Sequence, residues 1–125
     1  MKTAADYMND ANAVVPKMRT EDGIASPAAG GAVVIDVRDS AAIAVSGTIA
    51  GALRIPRGFM EFAADDATPF HNDALNKDAE IILVCGAGGQ AALTGKTLKE
   101  MGFTNVSNVG GFPAWKDAGG PTEDG

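Results

Sequence analysis

The sequence predicts an α/β fold built on a mainly parallel sheet with helices on both faces. Three observations predict it. The runs Ala32-Val33-Val34-Ile35-Asp36-Val37 and Ile81-Ile82-Leu83-Val84 are apolar at consecutive positions, as strands buried on both faces must be. Strand-like runs alternate with helix-like segments along the chain, the order that lays helices over a parallel sheet. The 125 residues, 46% of them apolar, suit one domain whose folding hides roughly two thirds of the unfolded chain's surface.

Each element follows in turn. Residues 3–15 read as an amphipathic helix. Thr3 caps it, Asp6 completes a capping-box pattern, and Tyr7, Met8, Ala11, Val14 and Val15 fall on one side. Pro16 ends it. Lys17-Met18-Arg19 reads as a short strand. Thr20 could cap a brief helix, which Gly23 and Ser26-Pro27 oppose, and Gly30-Gly31 reads as a turn. After the strand at 32–37 comes a helical turn near 40–45. Leu53-Arg54-Ile55 is a second short strand, closed by Pro56, and residues 59–64 form another helical turn. Residues 65–79 are polar, contain Pro69 and read as loop. Beyond the strand at 81–84, a helix runs from about Gln90 to Met101 and stops at Gly102. Val106 to Val109 is the last strand, and Gly110-Gly111-Phe112-Pro113-Ala114-Trp115 leads into a final short helix. The domain plan is a helical extension over 1–16, one domain over 17–120 and a flexible tail over 121–125.

Composition narrows the partners. Ten basic and sixteen acidic residues give a net charge of -6, which disfavours nucleic-acid backbones and anionic membranes. A small anion stays within reach, because one local arginine outweighs a diffuse field. One Cys and one His rule out an internal disulfide and argue against a Cys/His zinc site. No metal and no organic cofactor are expected. The lone Cys suits a reducing compartment. The start lacks the apolar core of a signal peptide, and no apolar run reaches membrane-spanning length. The default expectation is therefore a cytoplasmic protein.

The chemistry concentrates at one place. A buried strand ends in Cys85, Gly86-Ala87-Gly88-Gly89 follows, and a helix starts near Gln90. A cysteine there sits at the strand's carboxyl end, where open α/β sheets bind ligands. The glycines open backbone conformations closed to other residues. Successive N–H groups can then form an anion-binding nest, reinforced by the positive end of the helix. Such a cradle suits a thiolate or a persulfide anion. Two readings stand side by side, a reactive nucleophile and a buried structural thiol. Three glycines in four residues favour the first.

At this point the sequence resembles a rhodanese-like domain. Val34-Ile35-Asp36-Val37-Arg38-Asp39 resembles the family's strand ending in Asp-Val-Arg. Gly47-Thr48-Ile49-Ala50-Gly51-Ala52-Leu53-Arg54-Ile55-Pro56 resembles its Gly-His-Ile-x-Gly-Ala-x-x-Ile-Pro segment. Ile82-Leu83-Val84-Cys85 resembles the strand carrying its cysteine, and Gly102-Phe103, Val106, Gly110-Gly111-Phe112 and Ala114-Trp115 resemble its C-terminal signature. The pieces keep their order and spacing over residues 32–120. The resemblance implies a three-layer sandwich around a five-stranded, mainly parallel sheet. It implies a sulfurtransferase or sulfur carrier, in which the Cys85 thiolate takes sulfur from a donor such as thiosulfate or a persulfide and passes it to a thiol or cyanide. The implied partners are a small sulfur-donor anion and a thiol acceptor, free or carried on a protein. The implied substrate contacts are Gly86, Ala87, Gly88, Gly89 and Gln90.

Three positions depart from the family pattern. Gln90 and Ala91 stand where Arg and often Ser are usual, and Thr48 stands for the segment's His. Losing the Arg removes a forked cation suited to oxyanions. Arg57, just past the second strand, would lie at the same sheet edge as Cys85 and is a candidate replacement. The related phosphatases use a seven-residue loop ending in Arg; six residues from Cys85 to Gln90 and no Arg count against that chemistry.

The remaining notable residues read as structural. Arg38 pairs with a carboxylate and braces the loops, Asp36 serves as a buried hydrogen-bonding group, and Trp115 staples the last helix. His71 reads as a surface-loop histidine, and Phe59, Met60 and Phe62 as core or satellite packing. Asp65-Asp66 lacks the further ligands of a metal site. Two other functions remain open: a catalytically weak binding or regulatory module, favoured by Gln90 and Ala91, and a redox or arsenate-handling thiol protein, whose resolving thiol must come from outside.

Overall fold

A computed structural model of the chain describes residues 1–25 and 31–125. The elements are α1 (Ala4–Val14), α2 (Thr20–Ala25), β1 (Val33–Asp36), α3 (Ser40–Ser46), β2 (Thr48–Ile49), β3 (Leu53–Arg54), a 3-10 turn (Arg57–Phe59), α4 (Met60–Ala64), β4 (Ile81–Cys85), α5 (Gly89–Glu100), β5 (Val106–Gly111), α6 (Phe112–Asp117) and β6 (Thr122–Glu123). Ser26, Pro27 and Gly30, read above against the brief helix and as part of a turn, lie outside the described residues. Gly31 sits in a turn.

Among the described residues the central sheet has four parallel strands in the order β3-β1-β4-β5, not the five expected. What was read as a strand at Lys17-Met18-Arg19 reaches the free edge of β5 as a single parallel bridge, Lys17 to Asn108. Pro16, which has no N–H, lies on one side and α2 starts at Thr20 on the other, so the ladder cannot lengthen. The two bonds it makes are good ones: Met18 N–H donates to the Asn108 carbonyl at 2.8 Å, and Asn108 N–H to that of Pro16 at 2.9 Å.

Alternate residues of each strand supply the two faces. Ile35, Val37, Ile81, Leu83 and Cys85 face α4 and α5, packing with Met60, Ala91, Leu98 and Phe103. Val34, Ile82 and Val84 face the other way, onto Phe112, Trp115 and Ile49. Because every strand of this sheet runs the same way, their carboxyl ends share one edge. The chain moves from β1 to β3 on one side and then to β4 on the other. The crossover point, where such sheets bind ligands, therefore lies between the ends of β1 and β4.

α1 starts with the capping box read from the sequence: Thr3 Oγ1 accepts from the Asp6 N–H at 3.2 Å, and the Asp6 carboxylate accepts from the Thr3 N–H at 2.9 Å. Its buried face is narrower than expected. Ala11 and Val15 are buried and Met8 is half-buried, but Tyr7 and Val14 are exposed. The helix meets α5 at Gly95, where a Cβ would stand 2.9 Å from both methyls of Val15. A close approach through small residues replaces a broad apolar stripe.

The C-terminal tail also differs from the frayed segment expected. β6 pairs antiparallel with β2. The Pro121 carbonyl accepts from Trp115 Nε1 at 2.9 Å and from the Ala50 N–H at 3.1 Å. Glu123 accepts from the Gly51 N–H and from Arg54. Trp115 thus fastens the tail as well as α6.

Candidate active site

Cys85 is the last residue of β4 and is 2% exposed. Its Sγ accepts two backbone hydrogen bonds, from the Gly88 N–H at 3.0 Å and the Ala91 N–H at 3.4 Å. The second donor belongs to the first turn of α5, whose N–H groups lack carbonyls one turn back. The sulfur thus faces the positive end of a helix. With two N–H donors turned towards it, this cradle suits an anionic sulfur.

Glycine is required at two points of the loop. Gly88 caps α5 with φ +102°, a conformation that costs other residues about 1–2 kcal/mol. Gly111, paired with Cys85 at the end of β5, lets that strand close on the loop. A Cβ there would overlap the Gly86 carbonyl oxygen.

Two hollows flank the loop. The larger, about 520 Å³, is walled mainly by apolar groups of Ala4, Tyr7, Met8 and Leu93, with Gly89, Gln90 and Arg57. Arg57 stands at the edge predicted for it: its N–H donates to the Val37 carbonyl at 3.0 Å, which fixes the turn beside the ends of β1 and β4. Its side chain is exposed and forms no ion pair among the described residues. The smaller hollow, about 240 Å³, holds Lys17 and Asn12 opposite Ala87, Gly88 and Gly110. Among the described residues no carboxylate lines either one. In an acidic chain, both approaches to the loop carry a cation.

Of the predicted loop residues 86–90, Gly88 bonds the sulfur; Gly86, Ala87 and Gln90 are exposed, and Gln90 shares a hollow with Arg57. Ala91, where the family often has Ser, is buried and contributes its N–H. The sequence reading missed Asn108, buried under the loop, whose Nδ2 donates to the Gly88 carbonyl at 2.9 Å while its Oδ1 accepts from the Gly110 N–H at 2.8 Å. It missed Lys17 as well. An asparagine amid strand residues was the only available signal for the first.

The other singled-out residues lie elsewhere. Asp36 and Arg38 form a buried ion pair of 2.7 Å at the end of β1, joined by Thr48 Oγ1 at 2.7 Å. His71 faces the Leu75 carbonyl through Nε2 at 3.1 Å, within a hollow that also holds Asn76, Lys77 and Phe103. Met60 is core. Phe59 and Phe62, read as core or satellite packing, are exposed, and the Phe59 ring lies 5.7 Å from that of Phe62 and 5.5 Å from that of Phe70, a satellite cluster. Among the described residues no group of His, Cys, Asp and Glu is placed to hold a metal ion. Among the described residues no helix is long and apolar enough to cross a membrane.

Comparison with known proteins bears on this arrangement. The family model described as Rhodanese-like domain matches residues 21–118. YrkF of Bacillus subtilis (strain 168), named as a candidate sulfur carrier protein, is 33% identical over 75 residues, which are 60% of this chain and 35% of that one. The chain thus spans little more than a third of that relative. A solved structure from Rhodopseudomonas palustris CGA009, described as a protein of unknown function and possible tyrosine phosphatase, matches with TM-score 0.92 and 33% identity, over 98% of this chain and 96% of that chain. The polysulfide-sulfur transferase homodimer of Wolinella succinogenes matches with TM-score 0.75 and 26% identity, over 94% of this chain and 85% of that chain.

Proposed function

The chain belongs to the rhodanese-like domain family, and from that premise we propose that it moves sulfane sulfur from a small anionic donor to a thiol acceptor through a persulfide on Cys85. The observation that carries this reading is the pair of N–H groups, Gly88 and Ala91, aimed at Sγ. In the first step the Cys85 thiolate attacks the outer sulfur of a donor such as thiosulfate. A Cys85 S–S bond forms, the donor's S–S bond breaks, and its electron pair leaves with sulfite. In the second step an acceptor thiolate, or cyanide, attacks the outer sulfur and returns the Cys85 thiolate. Neither step requires a side-chain base, because the nucleophile and the leaving group are both anions. The negative charge shifts by one sulfur in the first step, and the same cradle of donors serves both forms.

Gln90 leaves the loop without its usual cation, and Arg57, across the same hollow, supplies one. The apolar walls around it favour an acceptor or donor with an aliphatic body over a bare oxyanion. A phosphatase reading has less support: the seventh loop position is the buried methyl of Ala91, so no guanidinium is built in to clamp a phosphoryl group.

Incubation with thiosulfate, and separately with a small organic persulfide, followed by intact mass measurement, tests the proposal. A gain of one sulfur that cyanide removes and that Cys85→Ser lacks is the expected result. No gain from either donor would sink it and leave the binding-module reading.

A further inference from the structure

We propose that Asn108 is a positioning residue for Cys85, holding the glycine loop in the one conformation that turns its N–H groups onto the sulfur. The inference rests on Cys85 being the reactive residue. The loop contains the source of the difficulty. Gly88 reaches its left-handed geometry because it lacks a side chain, and with glycines on two of the neighbouring positions little that is local keeps it there. Gly88 matters most: its N–H is the shorter of the two bonds to Sγ, at 3.0 Å, and its backbone is left-handed at φ +102°. A rotation there would swing the donor off the sulfur.

Asn108 supplies the missing hold from another strand. It is 5% exposed, and both ends of its amide are used. Nδ2 donates to the Gly88 carbonyl at 2.9 Å, which also accepts the Ala92 N–H at 3.0 Å. Oδ1 accepts from Gly110 at 2.8 Å, across the register shift where β5 slips relative to β4. The Asn108 main chain is itself clamped by Pro16 and Met18. Three segments thus meet at one residue, two through its side chain and one through its main chain, and its hydrogen bond to the cysteine loop goes to the carbonyl of the residue that donates to the sulfur. An aspartate at this position could still accept from Gly110 but could not donate to Gly88.

The test uses the full chain and two variants, Asn108→Ala and Asn108→Asp, with Asn72→Ala as a control that removes an amide from a distant loop. Cys85 reactivity towards iodoacetamide is followed against pH, and persulfide formation from the small organic donor is followed separately. Both Asn108 variants should change the iodoacetamide profile, because the Gly88 carbonyl that Asn108 holds belongs to the residue whose N–H faces the sulfur. Persulfide formation should slow about tenfold, the worth of one hydrogen bond to a charged group. Asn72→Ala should leave both unchanged. Should Asn108→Ala fail to fold, Asn108→Asp, which keeps the side-chain size and the Gly110 bond, decides the matter. A wild-type profile and rate in either folded variant would overturn the proposal. Failure of the wild type to take sulfur from any donor would instead count against the sulfur-transfer reading, since the iodoacetamide profile needs no sulfur donor.

Discussion

The ends of β1 and β4 lie side by side at the same edge of the sheet, yet they are finished in opposite ways. At β1 the polar capacity is used up internally. Asp36 accepts from the Arg38 backbone, from Arg38 Nε and the guanidinium, and from Thr48. The rest of the guanidinium bonds Ser46 and the Gly47 carbonyl and lies 4.9 Å from the Phe112 ring. At β4 the sulfur receives two N–H bonds, and glycines and hollows surround it. Chain direction brings both ends to the crossover point; saturation separates the brace from the candidate site. A buried charge with every lone pair occupied has nothing left to offer a ligand.

Breaking each end in turn should expose the difference. Arg38→Ala leaves the Asp36 carboxylate buried without its cation and should cost about 3–5 kcal/mol in chemical denaturation. Cys85→Ala should lose sulfur loading completely while moving the denaturation midpoint far less. If Arg38→Ala were the milder of the two in stability, the brace assignment would be wrong.

Gly111→Ala attacks the site from its neighbour strand. Its Cβ must displace the Gly86 carbonyl, an overpacking worth about 1–3 kcal/mol. The loop should give way first, so sulfur loading should fall more steeply than thermal stability. Equal losses in both would mean that the loop is no softer than the sheet around it.

Gln90→Arg sharpens the comparison by adding to the reactive end the cation that the brace already has. Activity with thiosulfate should rise about tenfold in kcat/KM, since a charged donor replaces a neutral one. An unchanged rate in the folded variant would put oxyanion recognition elsewhere, with Arg57 as the first residue to remove.

The smallest effect belongs to the tail. The Gly51 N–H and then Arg54 hold the Glu123 carboxyl below its ordinary value of 4.5. A lowered folded-state value contributes stability above the unfolded value, and that contribution fades as pH falls through the folded one. The difference in melting midpoint between wild type and Glu123→Gln should therefore be present at neutral pH and shrink below about 4.5. A difference that grew in acid would contradict the clasp.

These two ends were unequally legible in the sequence. β1, β4 and α5 announced themselves through continuous apolar runs and a glycine stop, and with them the placement of Cys85. That Arg57 would share its edge followed from parallel strands alone. β2 and β6 are two residues each, too short to carry a period, so the docked tail was read as frayed. Phe59 and Phe62 look like core by composition, and only the position of the turn leaves them outside. Asn108 was invisible for a different reason. Its role depends on where Gly88, Gly110 and Pro16 meet, and no local pattern encodes a meeting of three separate segments.

The cradle at the end of β4 is proposed to hold a transferable sulfur. Intact mass after thiosulfate or persulfide treatment tests it most directly. One added sulfur is expected on the wild type, removed by cyanide and absent from Cys85→Ser. A wild type that gains no sulfur from either donor, or a Cys85→Ser variant that gains as much, would contradict it.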